Sequence, residues 1–490
     1  MKKLLAFATL IAGSLVMVSC GDDDTTSLDA PSVTNPSSST VQVEESVTID
    51  FAYTAAAGFA SSSVTASEGS ASVTTDGTAD ATSGTITVTY TAGASAGSAT
   101  VTLTVTDVEG NSDDATAVVT ITTTPVVLVR GDIEENTTWT ADNIYQLDTR
   151  VTVLADVTLT IEPGTVIKGN EGQAAAATAL LVARGGTLDA VGTAALPIIF
   201  TSVLDPIDPS DIAAGNYAST TAATTTGLWG GVIVLGNAQI SASNDNDEDV
   251  TEAQIEGIPT SDSNGLYGGT DDADDSGDIA YISIRHGGTN IGAGNEINGL
   301  TLGGVGTGTS ISNVEVVANA DDGIEFFGGS VSVDGALIWN SNDDSMDTDQ
   351  DWIGSVTDYI IVTPIGGSAF ELDGPEGTLN RGTHQFSEGV VYGGGDIDHI
   401  VDWDDATNAG ISNTYFFGIT AGDIETFGGD GTGTNTGWET DLAEAGTFFA
   451  GAENALTFNV AVGSKTVGPS AADFAWTWAG NSGALTDLGL

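Results

Sequence analysis

The chain has 490 residues, with 68 acidic against nine basic side chains and a formal net charge of −59. That balance excludes a protein that grips nucleic acid through its phosphates. A hydrophobic fraction of 40%, 64 glycines and few aromatic residues describe an almost all-β chain, long enough for two or three domains or for one domain and a repeat array.

Met1-Lys2-Lys3 and the apolar run from Leu4 to Val18 have the form of a signal peptide over residues 1–19, too short for the roughly 20 apolar residues that span a bilayer. The run ends at Met17-Val18-Ser19-Cys20, and Cys20 is the only cysteine, which excludes internal disulfides. This placement resembles the lipobox of bacterial lipoproteins. The resemblance implies cleavage before Cys20 and its acylation, with outer-membrane lipid as the partner of the anchor. Gly21-Asp22-Asp23-Asp24 is similar to the acidic export signal of lipoproteins of Bacteroidetes-type bacteria, which implies a location on the outer, extracellular side of the outer membrane. Removing Lys2 and Lys3 from the nine basic residues leaves seven against 68 acids, a surface that high ionic strength would screen. Residues 20–40 then read as the acylated cysteine and an acidic, Ser/Thr-rich tether.

Over residues 41–124 apolar residues alternate with polar ones, as in Val41, Val43, Val47, Ile49, Phe51 and Tyr53, and again in Val101, Leu103 and Val105. Short alternating runs between turns predict a β-sandwich. Val101 to Asp107, Gly110-Asn111 and Ala117 to Ile121 look like the final hairpin of Ig-like or PKD-like modules, so a spacer is expected here. Thr122 to Pro125 reads as the boundary.

From residue 125 to 490 short apolar runs recur between Gly, Asn and Asp turns. Segments beginning at Ile279, Ile311, Val333, Val356, Phe386 and Ile411 align with one another. A period of 22 to 25 with occasional insertions predicts a parallel β-helix, each coil burying its apolar face on its neighbours.

Several strings carry a family resemblance: Leu159-Thr-Ile-Glu-Pro-Gly164, Gly227-Leu-Trp-Gly-Gly231, Ile284-Arg-His-Gly-Gly288, Asn295-Glu-Ile-Asn-Gly-Leu-Thr-Leu-Gly-Gly304 and Asp321-Asp-Gly-Ile-Glu-Phe-Phe-Gly-Gly329. They are similar to right-handed parallel β-helix outer-surface proteins of Bacteroidetes and related marine bacteria, often given transporter-type names. The resemblance implies a pectin-lyase-like solenoid over roughly residues 130 to 480 and no settled activity.

Aligned coils set Asp321-Asp322-Gly-Ile-Glu325 beside Asp343-Asp344-Ser-Met-Asp347. Stacked strands lie about 4.8 Å apart, so Asp322 is expected over Asp344 and Glu325 over Asp347, with Asp349, Asp351, Glu371 and Asp373 extending the acidic face. Carboxylates that close need a cation among them or a retained proton. The cation reading is calcium, a hard ion that takes oxygen ligands. Asp347-Thr-Asp349-Gln-Asp351 and Asp272-Ala-Asp274 alternate in the manner of a calcium loop, although Trp352 and Ser283 stand where such a loop requires Gly and Glu. Asp322, Asp344, Asp347, Asp349, Asp351, Asp272 and Asp274 are therefore the candidate metal ligands.

The alternative is a glycoside hydrolase with Glu325 or Asp347 as acid and Asp322 or Asp344 as base. The Asp pairs superficially resemble those of inverting pectinases, but the Gly-His-Gly string and basic triplet of those enzymes are missing, and His286, His384 and His399 stand singly. His286 reads as a structural hydrogen-bonding residue. Trp352 and Trp403, each following an acidic residue, are candidate sugar platforms or core residues. The expectation is a lipid-anchored surface protein that binds neutral glycans or makes calcium-mediated contact with a neighbouring cell-surface component, with hydrolysis and a structural surface role as the competing readings.

Overall fold

A computed structural model describes residues 28–490 apart from 174–175, 245, 247, 290–296, 364–365, 395–396, 398, 404–405, 420–435 and 443–455. The signal sequence, Cys20 and Asp22 to Asp24 thus lie outside the described residues. Among the described residues no helix is long and apolar enough to cross a membrane.

Alternating sequence in the first part of the chain folds into two four-stranded sheets. One has the order β1 (Ser32–Val33), β3 (Ser46–Thr54), β6 (Ser83–Thr91), β5 (Ser70–Thr75); the other is β2 (Ser39–Gln42), β8 (Ser112–Thr122), β7 (Gly97–Asp107), β4 (Phe59–Ala66). Ile49, Phe51, Tyr53, Ile86, Val88, Tyr90, Val101, Leu103 and Val105 fill the space between them. The β7–β8 hairpin turns on the buried Asp107, whose carboxylate accepts the backbone N–H of Glu109 and of Asn111. Within residues 28–40 lies all of β1 and the start of β2. That stretch was expected to be tether, but Val33 pairs with Tyr53 and Thr40 with Thr120, so the sandwich begins about ten residues earlier than the apolar alternation suggests.

Beyond Pro125 every main ladder is parallel. β9 (Val126–Val129) opens a long sheet that continues through Ile144–Leu147, Val166–Gly169, Ile198–Ser202, Asp278–Arg285, Ser310–Val317, Val333–Trp339, Ser355–Val362, His384–Tyr392 and Ala409–Phe417. Ile279, Ile311, Val333, Val356, Phe386 and Ile411 stand in one column, as the aligned repeats predict. Tyr281, Asn313, Gly335, Asp358, Glu388, Asn413 and Gly437 share another level, and all have φ between 47° and 84°. One left-handed residue per coil therefore bends the chain at the same height, a geometry that favours Gly and Asn. At Gly335 a Cβ would lie 3.2 Å from the Asn313 amide oxygen, so the missing side chain makes room for the residue one coil below.

A second sheet of eight strands stacks Val151–Val153, Leu180–Val182, Val232–Leu235, Leu300–Gly303, Ile324–Phe327, Met346–Asp349, Phe370–Leu372 and Val401–Trp403. Because side chains alternate across a strand, Leu180, Val232, Leu300, Ile324, Met346, Phe370 and Val401 point inward as one buried apolar column. Outward-facing neighbours change along the stack from Leu181 and Ile233 through Thr301 to Glu325, Asp347, Glu371 and Asp402. The apolar start of that column is covered by an insertion that contributes Ile240, Ala242, Ile255, Ile258 and Tyr267.

Short helices, absent from the sequence expectation, appear in the connections: α1 (Pro209–Ala213), α2 (Trp478–Asn481) and α3 (Ala484–Asp487). The last two lie on the outside of the long sheet, where Phe474, Ala479 and Leu485 cover Leu337, Ile360, Val390 and Tyr415. Their anchor is Glu315, fully buried, which accepts N–H groups from Trp478 at 2.8 Å and Ala479 at 3.0 Å. Ser283 Oγ donates to the same carboxylate at 2.5 Å and accepts from Arg285 Nε at 2.7 Å. Arg285 is fully buried, with Nη2 3.7 Å from Glu315. Replacing Glu315 by Ala strands this guanidinium without its counter-charge, and the expected loss is about 3–5 kcal/mol, read from the urea midpoint at constant slope.

Candidate functional site

Two outward columns, three residues apart in sequence, form the site. Just before each of the last five strands of the second sheet stand Asn298, Asp322, Asp344, Ser368 and His399; those strands themselves carry Thr301, Glu325, Asp347, Glu371 and Asp402. Backbone hydrogen bonds fix the first column. Asp344 N–H donates to Asp322 Oδ1 at 2.9 Å, and Ser368 N–H donates to Asp344 Oδ1 at 2.6 Å. The expected pairings of Asp322 over Asp344 and Glu325 over Asp347 are both present.

One ligand oxygen each from Asp322, Glu325 and Asp347 lies within 4.8 Å of the others. Oxygens that share one calcium ion, each 2.3–2.6 Å from it, lie at most about 5 Å apart, a bound that these three meet. Asp321, Asp322 and Asp343 form a second group with the same spacing nearer the rim, and Asp322 belongs to both. Asn298 closes the inner end, its Nδ2 donating to Glu325. No ion pair reaches Asp322, Glu325 or Asp347 among the described residues.

Burial, together with the neighbouring charges of Asp321 and Asp344, holds Asp322 well above the ordinary carboxylate range. Burial likewise raises Glu325, followed by the charges of Asp347, Asp322 and Asp349 and a side-chain hydrogen bond to Asp347, and it raises Asp347, followed by the charges of Asp349, Asp322 and Glu371. At the outer end a hydrogen bond to Asp344, then burial, pushes half-buried Glu371 up to about 9. One coil further His399 Nδ1 lies 3.6 Å from Asp402.

Of the other candidates Asp349 borders this group, whereas Asp351, Asp272 and Asp274 separate from it. Asp349 shares the outward face with Asp347, one step along the strand. Asp351 and Asp272 do meet, but through the Arg381 guanidinium, whose Nε donates to Asp351 at 3.1 Å and whose Nη1 donates to Asp272 at 3.1 Å. Their positive partner is thus a side chain that arrives from a distant loop. Asp274 Oδ2 accepts from Ser276 Oγ at 3.2 Å and stands apart from both acidic groups.

Both tryptophans are core residues, which corrects their reading as sugar platforms. Trp352 is 1% exposed, stacks on Phe326 with centroids 4.0 Å apart and donates to Val331 O. Trp403, 7% exposed, lies on the inward face in register with Leu372, because its neighbour Asp402 faces outward. The acid and base assignment to Asp322, Glu325, Asp344 and Asp347 also meets an obstacle: all four are between 4% and 8% exposed, closed to a polysaccharide chain in this arrangement. His286 is structural as expected, its Nδ1 2.7 Å from Thr225 O.

Asn298, Ser368 and His399 were missed in the sequence. For Asn298 the signal was present, since Asn298-Gly-Leu-Thr-Leu repeats the pattern of Asp322-Gly-Ile-Glu-Phe.

A stack of parallel coils carrying one outward polar site defines this chain as a single-stranded β-helix protein. Residues 131–392, just over half of the chain, match the family described as pectate-lyase like beta helix domain, and the chain belongs to that family. The solved family 28 exopolygalacturonase of Yersinia enterocolitica is similar at 11% identity and a TM-score of 0.20, over 83% of this chain and 99% of that one. No curated protein matches.

The raised carboxyl groups fix a pH dependence. A carboxyl whose folded pKa exceeds its unfolded one stabilises the fold below the unfolded value and loses that contribution as pH rises through the folded value. In chelator the fold should therefore be less stable at pH 9 than at pH 5, and calcium should flatten the difference; melting curves across this range check it.

Proposed function

We propose that the protein is a cell-surface β-helix that holds calcium in its acidic columns and presents the rigid, ion-bearing coil surface to a neutral glycan or a neighbouring surface component. Asp322, Glu325 and Asp347 are the primary ligands, with Asp344 and Asp349 shaping the field around them. The observation that carries this reading is the convergence of three buried carboxylates within 4.8 Å, none of them in an ion pair among the described residues. Such a group is costly unless protons or a divalent ion neutralise it, and an ion stabilises the fold in proportion to its concentration over Kd.

The same proposal places the chain on the outer membrane through acylated Cys20, with the sandwich as a spacer. The sheet orders β1-β3-β6-β5 and β2-β8-β7-β4 support an Ig-like reading of that module. Membership of the pectate-lyase-like β-helix family is consistent with an extracellular, polysaccharide-facing role but leaves activity open.

A hydrolase is the second reading, favoured by one observation: Glu371, half-buried at the open end of the column, is held as a protonated acid up to about 9 beside Asp344. A general acid with that property could protonate a glycosidic oxygen.

Two experiments separate these readings. Isothermal titration with calcium should give a saturable site and a rise of several degrees in melting temperature, both lost in the Asp322→Asn, Asp347→Asn double variant; an unchanged transition refutes the ion. A reducing-end assay over a glycan panel should show no release; release abolished by Glu371→Gln would establish the hydrolase instead.

A further inference from the structure

The first coil leaves its sheet edge open. β9 is the end strand of the long sheet, and its one partner there is Ile144–Leu147. In a parallel ladder the N–H and C=O of one residue turn to the same side, and those of the next residue turn to the other. Ile144 N–H donates to Pro125 O at 2.9 Å and Asp148 N–H donates to Val129 O at 3.1 Å, so Pro125, Val127 and Val129 face that partner. The N–H and C=O of Val126 and Leu128 therefore point away from it. Among the described residues none of these four groups makes a hydrogen bond.

Sheet edges in folded proteins are normally charged, covered or bulged away from partners. β9 is none of these: its sequence is Val-Val-Leu-Val, and Val127 and Leu128 are 40% and 43% exposed. Val127 also begins an inward column whose next members, Tyr145, Ile167 and Phe200, are buried. Nothing continues that column past Val127. Beside the edge lies a cleft of about 430 Å³, with Val126, Leu128, Arg130 and Asp148 on one wall and β2 and Glu45 on the other. β2 is itself an end strand and pairs with β8 alone. Thr122 and Thr124 hydroxyls donating to Asp208, and Thr120 Oγ1 donating to Val203 O at 2.9 Å, hold the sandwich in this position, where the two edges do not close each other.

We propose that β9 docks an extended, basic segment of another protein by strand addition, the backbone of Val126 and Leu128 supplying the hydrogen bonds. The pattern of that segment follows from its surroundings. A residue set over Val127 extends the inward column and is apolar. Its neighbours in the strand face outward, toward the side of Glu45, because side chains alternate. Arg130 is matched by Asp148, and beyond it the chain runs through the exposed Asp132, Glu134 and Glu135. Lysine or arginine at the outward positions complements this acidic rim, whereas an acidic strand is repelled. A second copy of the chain, with its own net charge of −59, is poorly suited for the same reason. None of these groups belongs to the acidic columns, so the docking edge stands or falls independently of the calcium reading.

The test uses the full chain and a capped six-residue peptide that alternates lysine and valine. Its control has the same composition in two blocks, three lysines and then three valines, and so reads non-specific attraction to the acidic surface. By calorimetry, in calcium and again in chelator, the alternating peptide should bind below millimolar concentration and about tenfold more tightly than the block peptide. It should also slow amide hydrogen exchange at Val126 and Leu128. Leu128→Pro removes an outward N–H that bonds nothing in the fold, a change that an edge strand tolerates, so the melting temperature should hold. Binding should fall about fivefold with it, the worth of one backbone hydrogen bond. Equal binding of the two peptides, unchanged exchange at Val126 and Leu128, or affinity that survives Leu128→Pro overturns the proposal, as does loss of binding in chelator. Self-association of the free chain that Leu128→Pro removes would assign the edge to a second copy and overturn it as well.

Discussion

In-register parallel stacking is the constraint from which the rest follows. Each coil repeats its position one strand spacing above the last, so whatever a residue does it does beside a near copy of itself. Apolar columns gain from this, since Leu300, Ile324, Met346 and Phe370 pack as a continuous buried row. Carboxylates lose by it, because like charges are brought within a few ångströms and shut away from water. The molecule places both kinds of column on alternate faces of the same strands. The core and the candidate site are therefore products of one register, and neither can shift without the other.

Much of this was legible in the sequence. The six aligned segments define the long sheet's register, and the offset between Asp322 and Asp344 fixes the acidic pairing. The tryptophans show how a rule already in hand can be overlooked. Neighbours in a strand face opposite sides, so an outward Asp402 requires an inward Trp403. Adjacency to an acid was evidence for the core rather than for a sugar platform. Trp352 was harder, because it sits past the strand end in a turn where alternation gives no guidance.

What the sequence hid came from loops. Arg381 lies 30 residues beyond Asp351, and nothing in its own neighbourhood marks it as the partner of Asp351 and Asp272. The covering of the long sheet by α2 and α3 is equally non-local, depending on a carboxylate at Glu315 that reads, in sequence, as one more acid among 68. β1 and β2 escaped notice because a strand of two to four residues is too short to show a period.

The left-handed bend shared by Tyr281, Asn313, Gly335, Asp358, Glu388 and Asn413 bears on how such a chain tolerates change. Between that bend and the inward column the count of residues is the same on every coil, and adding one would turn the coil inside out. Length varies only at the corners, where the intervals of 32, 22, 23, 30 and 25 residues between Ile279 and Ile411 take up their differences. Mutation by insertion is thus channelled to the edges of the column, so new loops can be tried against its exterior while the spine keeps its beat.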